Sequence, residues 1–175
     1  MDDVELVAYD PDWPRLFDVE AERLRAVLDP ALLLGIEHFG STAVPGMIAK
    51  PVIDILVAVH SLAQAKAEAV APIRSLGYAY WEDNPKPDRM FFVKGMPPYG
   101  ARRTHHVHIT EPGSEMWQRR LAFRDYLRVN PQEAERYAAL KRDLARRYPS
   151  DREGYTGAKT DYVAAVHRRI GLWPD

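Results

Sequence analysis

Asp54 stands alone in an aliphatic run, Val52-Ile53-Asp54-Ile55-Leu56-Val57. A carboxylate in such a row is costly unless it binds a cation, accepts hydrogen bonds or exchanges a proton, which marks it as a candidate catalytic group. Shortly before it lies Gly40-Ser41-Thr42-Ala43-Val44-Pro45-Gly46, followed by Lys50. Gly-Ser pairs also build ordinary turns, but a small-residue bend with two hydroxyls beside a lysine and a strand carboxylate can approach a phosphate closely. These segments together read as half of a nucleotide site.

The other half comes from Thr104-His105-His106-Val107-His108-Ile109-Thr110. Strand alternation puts His106, His108 and Thr110 on one face and His105, Val107 and Ile109 on the other. Two imidazoles on one face can exchange protons, orient a substrate or ligate a metal. Lys94 and Arg103 bracket the approach to that strand, and Arg124 falls mid-row in the helical stripe Trp117, Leu121, Arg124, Arg128. Lys159 lies four residues before Val163 in the stripe Val163, Val166, Ile170. Cations on apolar stripes want partners, so Lys94, Arg103, Arg124 and Lys159 are candidates for clamping a multiply charged anion. The pairs Arg119-Arg120 and Arg146-Arg147 read as solvated surface.

The elements that must position these groups follow from periodicity and punctuation. Asp10-Pro11-Asp12-Trp13-Pro14 opens a helix that ends near Asp29-Pro30. Strands are expected over 32–39 and 52–59, the second being aliphatic enough to be covered on both faces. Ser61 caps a helix with Leu62, Ala65, Ala69, Ile73 and Leu76 inward, stopped by Gly77. Three more strands are expected over 78–81, 90–94 and 104–110, then helices from Ser114, over 132–147 and over 158–170. The pattern predicts an α+β fold in one unit, residues 1–175, with an α/β core over 1–111 and a dependent helical lid over 112–175.

Composition limits the function classes. At 175 residues and 46% hydrophobic, the chain can bury a core without staples. Twenty-four basic against 25 acidic side chains give no field for nonspecific nucleic-acid binding. The absence of cysteine excludes disulfides and thiolate zinc sites and makes the cytoplasm the default location. Asp2, Asp3, Glu5 and Asp10 do not fit a signal peptide, and no run of 18 apolar residues predicts a membrane span. Three chemistries are set aside. Thr110 stands where a histidine triad needs its third imidazole, only His108-Ile109-Thr110 supplies a His-x-Thr element, and no Gly-Lys-Ser/Thr ends a P-loop.

His38-Phe39-Gly40-Ser41-Thr42-Ala43-Val44-Pro45-Gly46 with Lys50-Pro51 and Ile53-Asp54-Ile55, then Arg103 to His108, Phe123 to Arg128 and Ala158-Lys159-Thr160, resembles the GrpB family. The resemblance covers nearly the whole chain and implies a nucleotidyltransferase-like fold: a small mixed sheet of about five strands with flanking helices and a helical C-terminal segment. It implies a nucleotide or other phosphorylated small molecule as ligand and nucleotidyl transfer to an acceptor as the activity. On this reading Asp54, His106 and His108 are catalytic, and Gly40, Ser41, Thr42, Lys50, Lys94, Arg103, Arg124 and Lys159 bind phosphate. Nucleotidyltransferases usually carry a second carboxylate two residues on, where this chain has Leu56. A divalent cation, Mg²⁺ or Mn²⁺, would therefore depend on Asp54 with His106 and His108. Fusion of some family members to dephospho-coenzyme A kinase implies an alternative, a non-catalytic module associated with that enzyme. A metal-dependent hydrolase using Asp54 and the histidines is a third reading.

Overall fold

The computed structural model describes residues 4–172, so Asp2 and Asp3 lie outside the described residues. Its elements are α1 (Trp13–Val27), β1 (Leu33–Phe39), a 3₁₀ turn (Ser41–Ala43), β2 (Ile53–Val59), α2 (Leu62–Glu68), α3 (Val70–Ser75), β3 (Tyr78–Tyr80), β4 (Met90–Lys94) and β5 (His105–Thr110). Four helices follow: α4 (Glu115–Val129), α5 (Pro131–Arg147), α6 (Arg152–Gly157) and α7 (Thr160–Arg169). The fold is α+β, with a five-stranded mixed sheet in the order β1-β2-β5-β4-β3. Only β2 and β5 run parallel; every other neighbouring pair is antiparallel.

Alternation along these strands builds two different faces. On the back face Ile55, Val57, Val107, Ile109 and Phe92 pack against Trp13, Leu24 and Leu28 of the first helix and its exit and against Ala65 and Ile73 of α2 and α3. Each of these fully buried aliphatic side chains contributes about 1.5–3 kcal/mol of burial. The front face carries Phe39 and Leu56, which meet Met116 of α4. Val44 and Met47, just after the 3₁₀ turn, pack with Leu127, Tyr137 and Ala138, so α4 and α5 are held against the turn itself. Leu144 and Tyr155 bury Val4, which ties the far end of the helical segment to the N-terminal strand region.

One expected helix is divided and another begins later than expected. The segment after Ser61 forms α2 and α3 rather than one helix, because Pro72 has no N–H to donate to the carbonyl four residues earlier and its ring crowds that carbonyl. The helix expected over 158–170 begins only at Thr160, and α6 precedes it, capped by Asp151 Oδ1 accepting from the Gly154 N–H at 2.8 Å. Lys159 consequently sits at the joint between two helices. Among the described residues, no helix is long and apolar enough to cross a membrane.

Candidate functional site

The centre of the front face is a hydrogen-bonded pair on the two parallel strands. Asp54 of β2 and His106 of β5 are in register, and His106 Nδ1 donates to Asp54 Oδ1 at 2.9 Å. An ionised carboxylate only accepts, so Nδ1 carries a proton, and in the neutral imidazole Nε2 is the nitrogen with the lone pair. Nε2 is buried with no hydrogen-bond partner among the described residues. Burial pushes the Asp54 carboxyl up, but the His106 hydrogen bond first, with the nearby Lys50 ammonium, outweighs it and holds the group below its ordinary value. The result is an oriented imidazole beside a carboxylate that stays ionised, the arrangement of a general base.

The Gly-Ser bend packs directly on this pair. Gly40 has φ +75°, and a Cβ there would lie 2.5 Å from Asp54 Oδ2, so both the backbone conformation and the close approach require glycine. Thr42 Oγ1 is 2.9 Å from His38 Nε2, and His38 in turn stacks on Phe17. Burial pushes His38 down to about 4, so it is a neutral brace for the bend at physiological pH. Ser41 Oγ accepts from Lys141 Nζ at 3.1 Å, and the same ammonium donates to the Ile48 carbonyl, pinning both ends of the bend to α5.

Ser41, Thr42, Lys50, Asp54, Arg103, His106 and Lys159 line one cleft of about 820 Å³, together with Lys141, Tyr155, Trp81 and Phe91. Six cationic side chains, including Lys86 and Arg152, face two carboxylates, Asp54 and Glu153. Lys50 and Lys159 sit over the Tyr155 ring at 4.9 and 4.2 Å, and Lys141 lies 4.9 Å from the Tyr137 ring centre. Burial first, then repulsion from Lys159 for Lys141 and from Lys50 for Lys159, pushes both lysines down to about 7. Crowded, dehydrated ammonium groups are unfavourable alone and favourable around an anion.

Four expected site residues do not line this cleft; one of them, Gly40, packs instead directly against Asp54. Lys94 points to the back face, as the register Lys94 with His105 dictates, where Nζ donates to Glu20 Oε1 at 2.6 Å. Arg124 ties α4 to β1: Nη1 donates to Glu37 Oε2 at 2.7 Å and to the His38 carbonyl at 2.8 Å, and Nε donates to Asp125. It supports the bend from behind. His108 shares a face with His106 but is sandwiched, stacked on Phe91 at 4.5 Å and edge-on to Phe39 at 5.6 Å. Burial holds its pKa well below the ordinary value, so it is neutral and packs between Phe39 and the cleft-lining ring of Phe91.

The expected metal site is not assembled either. Leu56, at the position of a second carboxylate, is fully buried against Phe39 and Met116. Asp54 Oδ1 is engaged by His106, His108 is locked between rings, and among the described residues no three His, Cys, Asp or Glu side chains are grouped to hold a metal ion. The side chains present do not fit a resident divalent cation.

Sequence reasoning passed over Lys141, Tyr155 and Trp81. Lys141 carried the same signal that exposed Lys159, a cation on the apolar stripe Tyr137, Lys141, Leu144 of α5. Tyr155 lies in the short α6, which the sequence pattern does not reveal.

Residues 3–169 match the family described as GrpB protein. UPF0157 protein PA4798 of Pseudomonas aeruginosa is 51% identical over 166 residues, covering 94% of this chain and 66% of that protein. A dephospho-CoA kinase of Mycolicibacterium paratuberculosis is 34% identical over 193 residues, covering 98% of this chain and 47% of that protein, so the chain spans just under two thirds of the first relative and about half of the second. The crystal structure of conserved protein GrpB from Enterococcus faecalis aligns with a TM-score of 0.83 at 34% identity, over 94% of this chain and 96% of that one. Similarity of sequence and of three-dimensional structure both run through the bend, the paired strands and the helical segment, and on that ground the chain belongs to the GrpB family.

Proposed function

We propose that the front-face cleft binds a nucleotide or another phosphorylated small molecule and transfers its phosphoryl-linked group to an acceptor, as a nucleotidyltransferase does. The observation that carries this reading is the convergence of Lys50, Lys141 and Lys159 beside the Ser41 bend, facing the Asp54–His106 pair. The lysines neutralise phosphate oxygens, and the bend lets them come close to backbone. The acceptor hydroxyl bonds to the nucleotide's α-phosphorus as the bond to pyrophosphate breaks; His106 Nε2 takes the hydroxyl's proton, Asp54 stabilises the imidazolium through Nδ1, and the lysines neutralise the departing pyrophosphate. Mg²⁺ or Mn²⁺, where it takes part, enters as the counter-ion of the ligand's phosphates.

Thermal melting in nucleotides and inorganic triphosphate, followed by product analysis, tests this. A ligand at a hundred times its dissociation constant stabilises by about 2.7 kcal/mol, readily seen as a rise in Tm. Product that disappears in His106→Gln while ligand stabilisation remains is the expected pattern; no shift with any phosphate ends the reading.

A second reading rests on the match to half of a dephospho-CoA kinase. In it the cleft holds a coenzyme A-like phosphate for an associated kinase activity, and stabilisation occurs without product.

A further inference from the structure

The cleft has a cationic end and an aromatic end, and phosphate binding uses only the first. Trp81 continues β3 by one residue: its N–H donates to the Phe91 carbonyl at 2.9 Å, so alternation turns its indole to the front face. The ring packs on Phe91 at 5.3 Å with a 40° tilt, and Phe91 in turn contacts His106 at 5.3 Å. An aromatic row therefore runs from the cleft mouth to the Asp54–His106 pair. Inward members of the row are covered, yet Trp81 remains 54% exposed, although indole is among the most favourable side chains to bury. The Arg103 guanidinium lies 5.8 Å from the Trp81 ring centre, which puts a planar cation beside the indole within the same cleft.

Building on the phosphate-binding reading, we propose that Trp81 is the stacking platform for a nucleobase, which makes the ligand a nucleoside phosphate and not an inorganic or sugar phosphate. Flat heteroaromatic rings stack on indole and on guanidinium planes with little dependence on the base, because every base presents a π-face. The two ends of the cleft match the two halves of such a ligand: lysines for the charged phosphates, Trp81 with Arg103 for the base. A cleft of about 820 Å³ lies within the size range of small-molecule sites.

Calorimetric titration of the full chain with inorganic triphosphate and, separately, with ATP and UTP tests this. The wild type should bind both nucleotides roughly tenfold to a hundredfold more tightly than inorganic triphosphate. Trp81→Ala should remove that advantage and leave the inorganic triphosphate affinity unchanged, while Trp81→Phe should keep most of it. Equal affinities for nucleotides and triphosphate in the wild type overturn the proposal, as does a Trp81→Ala variant weakened equally towards all three. Absence of binding by every ligand instead removes the phosphate reading beneath it, so the two failures are told apart.

Discussion

The two faces of the sheet treat buried charge in opposite ways. Behind it, Glu20 is 1% exposed and fully satisfied: Tyr78 Oη donates at 3.0 Å, Lys94 Nζ at 2.6 Å and Arg23 Nη1 at 3.2 Å. The carboxylate is matched by its neighbours, and burial pushes its pKa up less than those donors and charges pull it down. In front, cations outnumber carboxylates, two lysines are driven down to about 7, and His106 Nε2 and His108 Nδ1 are buried with no hydrogen-bond partner among the described residues. Both regions join distant parts of the chain. The back-face group is complete as it stands; the front-face group gathers more cations than carboxylates around one cleft, and that contrast is what the proposed anion site rests on.

Removing one member of the complete cluster should have the largest effect on stability. Glu20→Ala leaves the part-buried Lys94 without its counter-charge and the buried Tyr78 hydroxyl without its acceptor, and should cost about 3 kcal/mol in urea denaturation, with triphosphate binding unchanged in the folded fraction. A loss of binding affinity alone would contradict the division between the faces. On the front face His106→Gln should lower any turnover by roughly a hundredfold or more and shift Tm little, since the glutamine amide can still donate a hydrogen bond to Asp54. Lys159→Met removes a repelled cation, so Tm should hold or rise while triphosphate affinity drops by about tenfold. A fall in Tm without a change in affinity would make Lys159 structural.

The mildest test is pH. Lys141 and Lys159, pushed down to about 7 by burial and neighbouring charge, lose charge above that pH, against an ordinary value of 10.5. A bound anion holds them protonated, so binding takes up protons and affinity should fall on the order of tenfold between pH 6.5 and 8.5. Without ligand the sign reverses: between about 7 and 10.5 the unfolded chain binds more protons than the folded one, so these lysines make stability rise with pH. Flat binding across that range would place the phosphates away from both lysines.

Much of the site was legible as local pattern. A lone carboxylate in an aliphatic strand, a Gly-Ser bend and imidazoles at alternate positions identify Asp54, Ser41 and His106, and all three line one cleft. Alternation also carried the information that would have removed Lys94, since it pairs with His105 on the other face. His108 shows the limit of the same rule: period 2 assigns a face, but whether a ring on that face is open or wedged between Phe91 and Phe39 depends on which neighbouring strands lie beside it.

By itself, then, the sequence determined the strand periods, the glycine bend and the sidedness of each strand residue, because these depend on the backbone geometry of a few neighbouring residues. Tertiary structure decided which cations meet. Lys141 reaches Ser41 across 100 residues of chain, and Arg124 braces β1 across 87, through the packing of α4 and α5 on Val44 and Met47. No local spacing encodes such a meeting, since it depends on the angle and depth at which whole helices settle on the sheet.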